Sequence, residues 1–280
     1  MNSNLVTEYK GRILEVVGLP ALPMTLHEIN RIMESSNAST EQIAKVILCD
    51  QALAAKVLRM VNSPIYGFPG RISSLQHALM LLGFNVIRGL IISTSVFDSI
   101  NKSMRGLWEH SLACSLACSE IARATGLKNP EEYAVAGLLH DIGKSVFSLQ
   151  IPEAKVDVDA LVEREDISFH EAEIRVLGFG HDRINKWLCE HWNLPLVIRE
   201  GLVHHHAPLQ AQFHQDVAVV VQIGDFMARL FECGFAGDKG VNEVDPRGLK
   251  FLGINQKKLE ELLDTISEKM FEILAQYMAE

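Results

Sequence analysis

The chain has 280 residues, 48% hydrophobic and 22% charged, which excludes an intrinsically disordered protein and suffices for one large domain or two modest ones. Its formal net charge of −9, without a basic run, argues against non-specific nucleic-acid binding and against attachment to anionic lipid. The N-terminal MNSNLVTEYKGR lacks the apolar core of a signal peptide, and stretches such as ALMLLGF and GLIIST are too short to cross a bilayer, so a cytoplasmic protein with no nucleic-acid or membrane partner is expected.

Apolar residues recur at spacings of three and four along nearly the whole chain, which predicts helix throughout. Leu5, Tyr9, Ile13 and Val16 share one face of a first helix, ended by Pro20 and Pro23. A second helix is expected from Thr25 to Glu34. Ser39 and Gln42 form a capping-box pattern that opens a third helix through Val46, Ile47 and Cys49. Asp50 is placed to cap a fourth, carrying Leu53, Val57, Leu58 and Val61. The Gly-, Pro- and Ser-rich NSPIYGFPGRISS then reads as a loop. Ser74 starts a helix ending at Gly83, and another runs from Asn85 to near Ile100.

The polar stretch Asn101–Gly106 marks a boundary between an N-terminal helical subdomain (1–102) and a C-terminal helical subdomain (103–280). Beyond it come a long helix over 107–125, a helix leading to His140, and the acidic segment VDVDALVERED. Helices near 168–178, 181–192, 195–205, 214–233 and 255–279 complete an all-α, multi-helix reading. The last of these has an apolar face of Leu259, Leu262, Leu263, Ile266, Met270 and Ile273, read as packing onto the domain, with homodimer formation as the minor alternative.

The string GLLHDIGK (137–144) sets His140 beside Asp141, two metal ligands of different type, with the cation Lys144 one turn on. Most of the eleven histidines lie between His110 and His206. His110 shares a helical face with Leu107, Cys114, Ala117 and Ile121; His181 shares one with Ile184, Trp187 and Leu188; Asp225 shares one with Val221 and Ala228. A polar group on an apolar face is expensive unless it meets a partner. One inward His is more often a hydrogen-bonded core residue, and a lone Asp225 reads as a cap or ion pair. Taken together, His110, His140, Asp141, His181, His205, His206 and Asp225 point to a site for a divalent ion of the Fe, Mn, Zn or Mg class. Two residues of the run His204–His206 can face one cavity only where the helix ends, and Ala207-Pro208 supplies that end. A rival cluster of His110, Cys114 and Cys118 at i, i+4, i+8 lacks a matching second pair, so its cysteines read as small core residues. The five cysteines are scattered without a CxxC pair, and His27, His77, His170, His191 and His214 read as surface, cap or packing residues.

The order H…HD…H…HH…D resembles the HD-domain superfamily of metal-dependent phosphohydrolases. LPALPMTLHEI (19–29), LCDQALAAKVLRMVNSPIYG (48–67), ISSLQHALMLLGFNVIRGLI (72–91) and LGFGHDRINKWLCEHWNLP (177–195) resemble more specifically the HDOD family, the HD-related output domain of bacterial signalling proteins. The resemblance implies an HD-domain-like bundle with an added N-terminal helical subdomain and one or two divalent ions. His110, His140, Asp141, His181 and Asp225 would hold one ion, and His205 and His206 would help hold a second across a bridging Asp141. Asp141 and Lys144 would serve a hydrolase acting on a phosphate ester or nucleotide, Lys144 stabilising charge on the phosphoryl oxygens. Two departures stand out. Ala207, Pro208 and Leu209 replace the GYP motif of cyclic-di-GMP phosphodiesterases, and Gly106 stands where a further carboxylate would support a third metal. The alternative is therefore a noncatalytic signalling module that binds a partner protein, its metal site structural or vestigial.

Overall fold

The computed structural model describes residues 3–14, 24–33, 39–241 and 243–278, and among them every regular element is helical. The helices are α1 (Ser3–Leu14), α2 (Met24–Met33), α3 (Thr40–Leu48), α4 (Gln51–Val61), α5 (Leu75–Ser103), α6 (Leu107–Ala124), α7 (Pro130–Leu139) and α8 (Ile142–Gln150). There follow α9 (Pro152–Glu165), α10 (Phe169–Leu177), α11 (His181–His191), α12 (Leu196–His204), a 3-10 turn (Pro208–Gln210), α13 (Gln215–Leu230), α14 (Pro246–Phe251) and α15 (Gln256–Met278). Val16, Pro20, Pro23 and Glu34 lie outside the described residues, as do the side chains of Leu5, His27 and Ile273.

Local signals place several ends. Ser39 Oγ accepts from Gln42 N while Gln42 Oε1 accepts from Ser39 N, so both arms of the capping box form. Asp50 Oδ1 accepts from Leu53 N at 3.0 Å and caps α4. Asn62 clamps the following loop: its amide donates to Leu58 O and Ile72 O, and its oxygen accepts from Ile72 N. Gly83 has φ +75° and breaks α5 in two, as the sequence expects. The two apolar stretches on either side of it still form one run, Leu75–Ser95, long and apolar enough by composition to cross a membrane. Here 67% of its most apolar window is buried inside the fold. The pattern did not assign α8, α9 or α14. In α9 only Ala154 and Val158 are buried, so its apolar stripe is too narrow to register among its acids.

Helix α6 is the axis. Nearly every residue from Leu107 to Ala122 is buried, because α7, α13 and α15 pack around it. Small residues permit the close crossings. A Cβ on Gly137 of α7 would sit 2.7 Å from Cys118 Sγ and 2.9 Å from Cys114 O. A Cβ on Gly224 of α13 would sit 2.6 Å from Cys118 Sγ. Cys114 and Cys118 thus fill the seam between three helices, as small buried residues do. Lys269 of α15 pairs with the buried Glu120 of α6 at 2.7 Å.

The N-terminal helices reach this axis through α5. Helices α3 and α4 pack on α5, which packs on α6, α7 and α8. Arg123 of α6 donates to Ile65 O and Tyr66 O in the clamped loop. Helix α1 instead lies against α8 and α11, where Arg12 pairs with Glu153 and donates to Gln150 O.

The α6–α7 crossing gives a paired expectation. Gly137→Ala should destabilise the fold by about 1–3 kcal/mol through overpacking. Gly11→Ala, on a face of α1 with nothing within 4 Å, should stabilise by about 0.5–1 kcal/mol. Urea unfolding of both variants beside the unchanged protein measures this.

Candidate metal centre

Helix ends and one helix interior deliver the polar groups. His110 comes from the first turn of α6 and Asp225 from within α13. His140 and Asp141 form the break between α7 and α8, and Lys144 follows one turn into α8. His181 is the first residue of α11. Helix α12 ends at His204, so His205 and His206 turn inward together while His204 stays beside Glu200. All seven residues expected to bind metal surround one centre, and six are at most 4% exposed; His206 is half-buried.

The donors fall into two clusters, His110–His140–Asp225 and His181–His205–His206. The first has nitrogen and oxygen separations of 3.4 Å (His110–His140), 3.0 Å (His110–Asp225) and 3.8 Å (His140–Asp225). In the second, His181 Nε2 lies 3.2 Å from His205 Nε2 and 3.0 Å from His206 Nε2. Four ligands about 2.0–2.1 Å from a tetrahedral ion would be about 3.3 Å apart, so both clusters have the right span. Asp141 lies between them. Its Oδ1 is 3.1 Å from His181 Nε2, and its Oδ2 is 3.3 Å from His140 Nε2. His181 therefore sits with His205 and His206, not with the first cluster as the family resemblance implied, because the start of α11 lies against the end of α12.

Proton placement shows why a cation fits. His140 Nδ1 lies 2.7 Å from Gly137 O, and His205 Nδ1 lies 2.9 Å from Leu202 O. A carbonyl only accepts, so each Nδ1 carries a proton and each ring turns its Nε2 inward. His181 Nδ1 is held likewise by Glu173 Oε2 at 2.6 Å. Asp141 Oδ1 is buried without a hydrogen bond. Converging lone pairs and an orphaned carboxylate oxygen are what a metal ion satisfies.

The charges are strongly coupled. Burial alone would raise Asp141, but His140 and Lys144 hold its carboxyl well below the usual range. Asp225 is held well below by Arg229 and His110 against the same burial penalty. Burial and the neighbouring rings drive His205 and His206 well below their usual value, so both are neutral. Burial lowers His110 despite Asp225. For His140 and His181 burial is outweighed, by Asp141 and Glu173 respectively, and both rise.

Lys144 is 1% exposed, and its Nζ donates to Asp141 Oδ2 at 2.6 Å and Ala236 O at 3.0 Å. Its ammonium is therefore held in place. Four supporting residues were not singled out from sequence. Glu173 orients His181, and Arg229 joins Asp225 to Asp238. Asn185 accepts from Gly143 N and donates to His140 O and Leu202 O. His170, expected as a surface, cap or packing residue, stacks on His206 with ring centres 3.9 Å apart and pairs with Asp182 at 3.0 Å. Its position opposite His206 depends on the α10–α11 turn, which helical periodicity does not encode.

Comparison with known proteins agrees with this architecture. The HDOD domain profile matches residues 19–208. An uncharacterized protein of Treponema pallidum (strain Nichols) is 26% identical over 246 residues, 86% of this chain and 47% of that protein. The uncharacterized protein YuxH of Bacillus subtilis (strain 168) is 28% identical over 115 residues, 40% of this chain and 28% of that protein. The chain thus spans about half the length, or less, of these curated relatives. The crystal structure of an HDOD domain protein of unknown function from Geobacter sulfurreducens is similar with a TM-score of 0.73 and 27% identity, covering 97% of this chain and 96% of that one.

Asn185 should matter without any ion. Asn185→Ala removes hydrogen bonds from three buried backbone groups, of which Leu202 O keeps His205 Nδ1, and should destabilise the metal-free protein by about 2 kcal/mol or more. Thermal and urea unfolding in chelator check this.

Proposed function

Because the chain belongs to the HDOD domain family, part of the HD-domain phosphohydrolase superfamily, we propose that it is a cytoplasmic bacterial signalling module whose His/Asp centre binds a divalent cation as a structural tie and whose surface is read by a partner protein. The observation that supports this most is the depth of the centre. Its donors other than His206 are at most 4% exposed, and both nearby protein cations are already committed. Lys144 is bound to Asp141 and Ala236 O, and Arg229 to Asp225 and Asp238. Neither cation is free to meet a phosphate ester while these contacts hold.

When bound, the cation supplies the fixed positive charge that the inward lone pairs lack. The protein's part is to hold those donors. Glu173 orients His181, and carbonyls of Gly137 and Leu202 orient His140 and His205. Side chains from α6, the α7–α8 break, α11, the end of α12 and α13 line this one centre. The imidazole-rich donor set suits iron or zinc more than magnesium.

One observation favours a hydrolase instead. Asp141 offers a separate oxygen to each histidine cluster, the arrangement that two-metal phosphoesterases use. The half-buried His206 also borders a groove of about 470 Å³ with Gln222, Glu243 and Arg247, through which a phosphate ester or nucleotide would approach. In that case Lys144 would have to leave Asp141 to meet a phosphoryl oxygen.

Elemental analysis and turnover assays separate the two. Protein purified without chelator should carry Fe, Mn or Zn, and Asp141→Ala should lose it and melt several degrees lower. Neither form should hydrolyse nucleotides or a generic aryl phosphodiester with added Mn or Fe. Turnover by the unchanged protein that disappears in Asp141→Ala would establish the hydrolase reading.

A further inference from the structure

The two halves of the centre are not equivalent, and the difference lies in which charges already face them. In the His110–His140–Asp225 half, one oxygen of each carboxylate already has a protein cation as its donor. Asp141 Oδ2 takes the Lys144 ammonium at 2.6 Å, and Asp225 Oδ1 takes Arg229 Nε at 2.9 Å. His110 Nε2 lies 3.0 Å from Asp225 Oδ1 and 3.4 Å from His140 Nε2. Both carboxylates of this half thus already face a protein cation.

The His181–His205–His206 half has no such closure. His181 and His205 both spend their Nδ1 protons outward, on Glu173 and Leu202 O. Their Nε2 atoms nevertheless meet at 3.2 Å, with His206 Nε2 3.0 Å from His181 and Asp141 Oδ1 3.1 Å from it. Asp141 Oδ1 is the orphaned oxygen, and among the described residues no Lys or Arg pairs with it or with the three ring nitrogens.

Resting on the metal-tied reading above, we propose that the centre holds one divalent ion, on His181, His205, His206 and Asp141 Oδ1, and that Lys144 and Arg229 are the resident cations of the other half. The ligand is a first-row divalent ion that accepts three imidazoles and one carboxylate oxygen. A second, independent observation supports the division. Both resident cations take their remaining bonds from one short segment: Lys144 from Ala236 O, and Arg229 from Asp238 Oδ1 and Gly240 O. That segment is anchored in turn by Phe235 N on Gly106 O and by Phe169 N on Asp238 Oδ2. The cations are thus built into the fold and are not stray side chains near an acid.

Metal-free protein titrated with Co²⁺, followed by visible absorption and by metal content after gel filtration, tests the assignment. The unchanged protein should saturate at one equivalent. His205→Gln should weaken Co²⁺ binding about 100-fold or more, and His110→Gln about threefold or less. A Lys144→Met/Arg229→Met variant, shown to be folded by circular dichroism, should bind a second equivalent; a folded variant that still binds one overturns the resident-cation role. If that variant does not fold, the two histidine variants decide. Two equivalents in the unchanged protein, or a larger loss in His110→Gln than in His205→Gln, overturns the one-ion assignment while leaving the structural-tie reading intact. No binding by the unchanged protein overturns both.

Discussion

The carboxylate of Asp141 is the constraint on which the centre depends. It is 1% exposed, lies at a break between two helices, and touches groups from both histidine clusters. A buried anion of this kind survives only where opposite charge and hydrogen-bond donors surround it. Lys144 supplies one side, and the inward histidines, with whatever cation they hold, supply the other. The packing follows from that need. Helices α7 and α13 approach α6 closely enough to bring His140 and Asp225 to His110 because Gly137, Gly224 and two cysteines leave no bulk in the seam. The N-terminal helices reach the same axis through α5 and the Arg123 clamp.

Much of this was legible in the residues, for identifiable reasons. Helices with wide apolar faces or explicit caps stand where their patterns put them. Ser39 with Gln42, Asp50, and the Gly83 break are local signals whose geometry needs no tertiary help. What the pattern missed lacks such a signal. Helix α9 buries too few residues to show a stripe, and α14 is six residues long. For the centre, residue type and order were enough to nominate the seven donors. Their division into clusters was not readable, since it depends on the start of α11 meeting the end of α12. Glu173 and Asn185 went unnoticed, and His170 was read only as a surface, cap or packing residue, for the same reason: each acts across a turn or between helices, where sequence spacing carries no information.

Family membership and local chemistry answer different questions. The HDOD profile over residues 19–208 and the likeness to the Geobacter structure account for the bundle. They do not say what the centre does. That depends on how far each donor lies from solvent and on which cations are already spent, and these are properties of this chain's own contacts. The lysine of GLLHDIGK is a case in point: the same side chain would assist a phosphate if free, and neutralises Asp141 when held by Ala236 O.

The run Leu75–Ser95 has a bearing on how the chain is made. By composition it is apolar enough to enter a bilayer, and in the finished fold most of that surface is covered. Synthesis proceeds from the N-terminus, so α3 and α4 already exist when α5 leaves the ribosome, whereas α7 and α8 do not. Two of its covering helices therefore precede it in the chain and can shield one side at once. The order of helices in the gene thereby shortens the interval in which a segment this apolar stands uncovered.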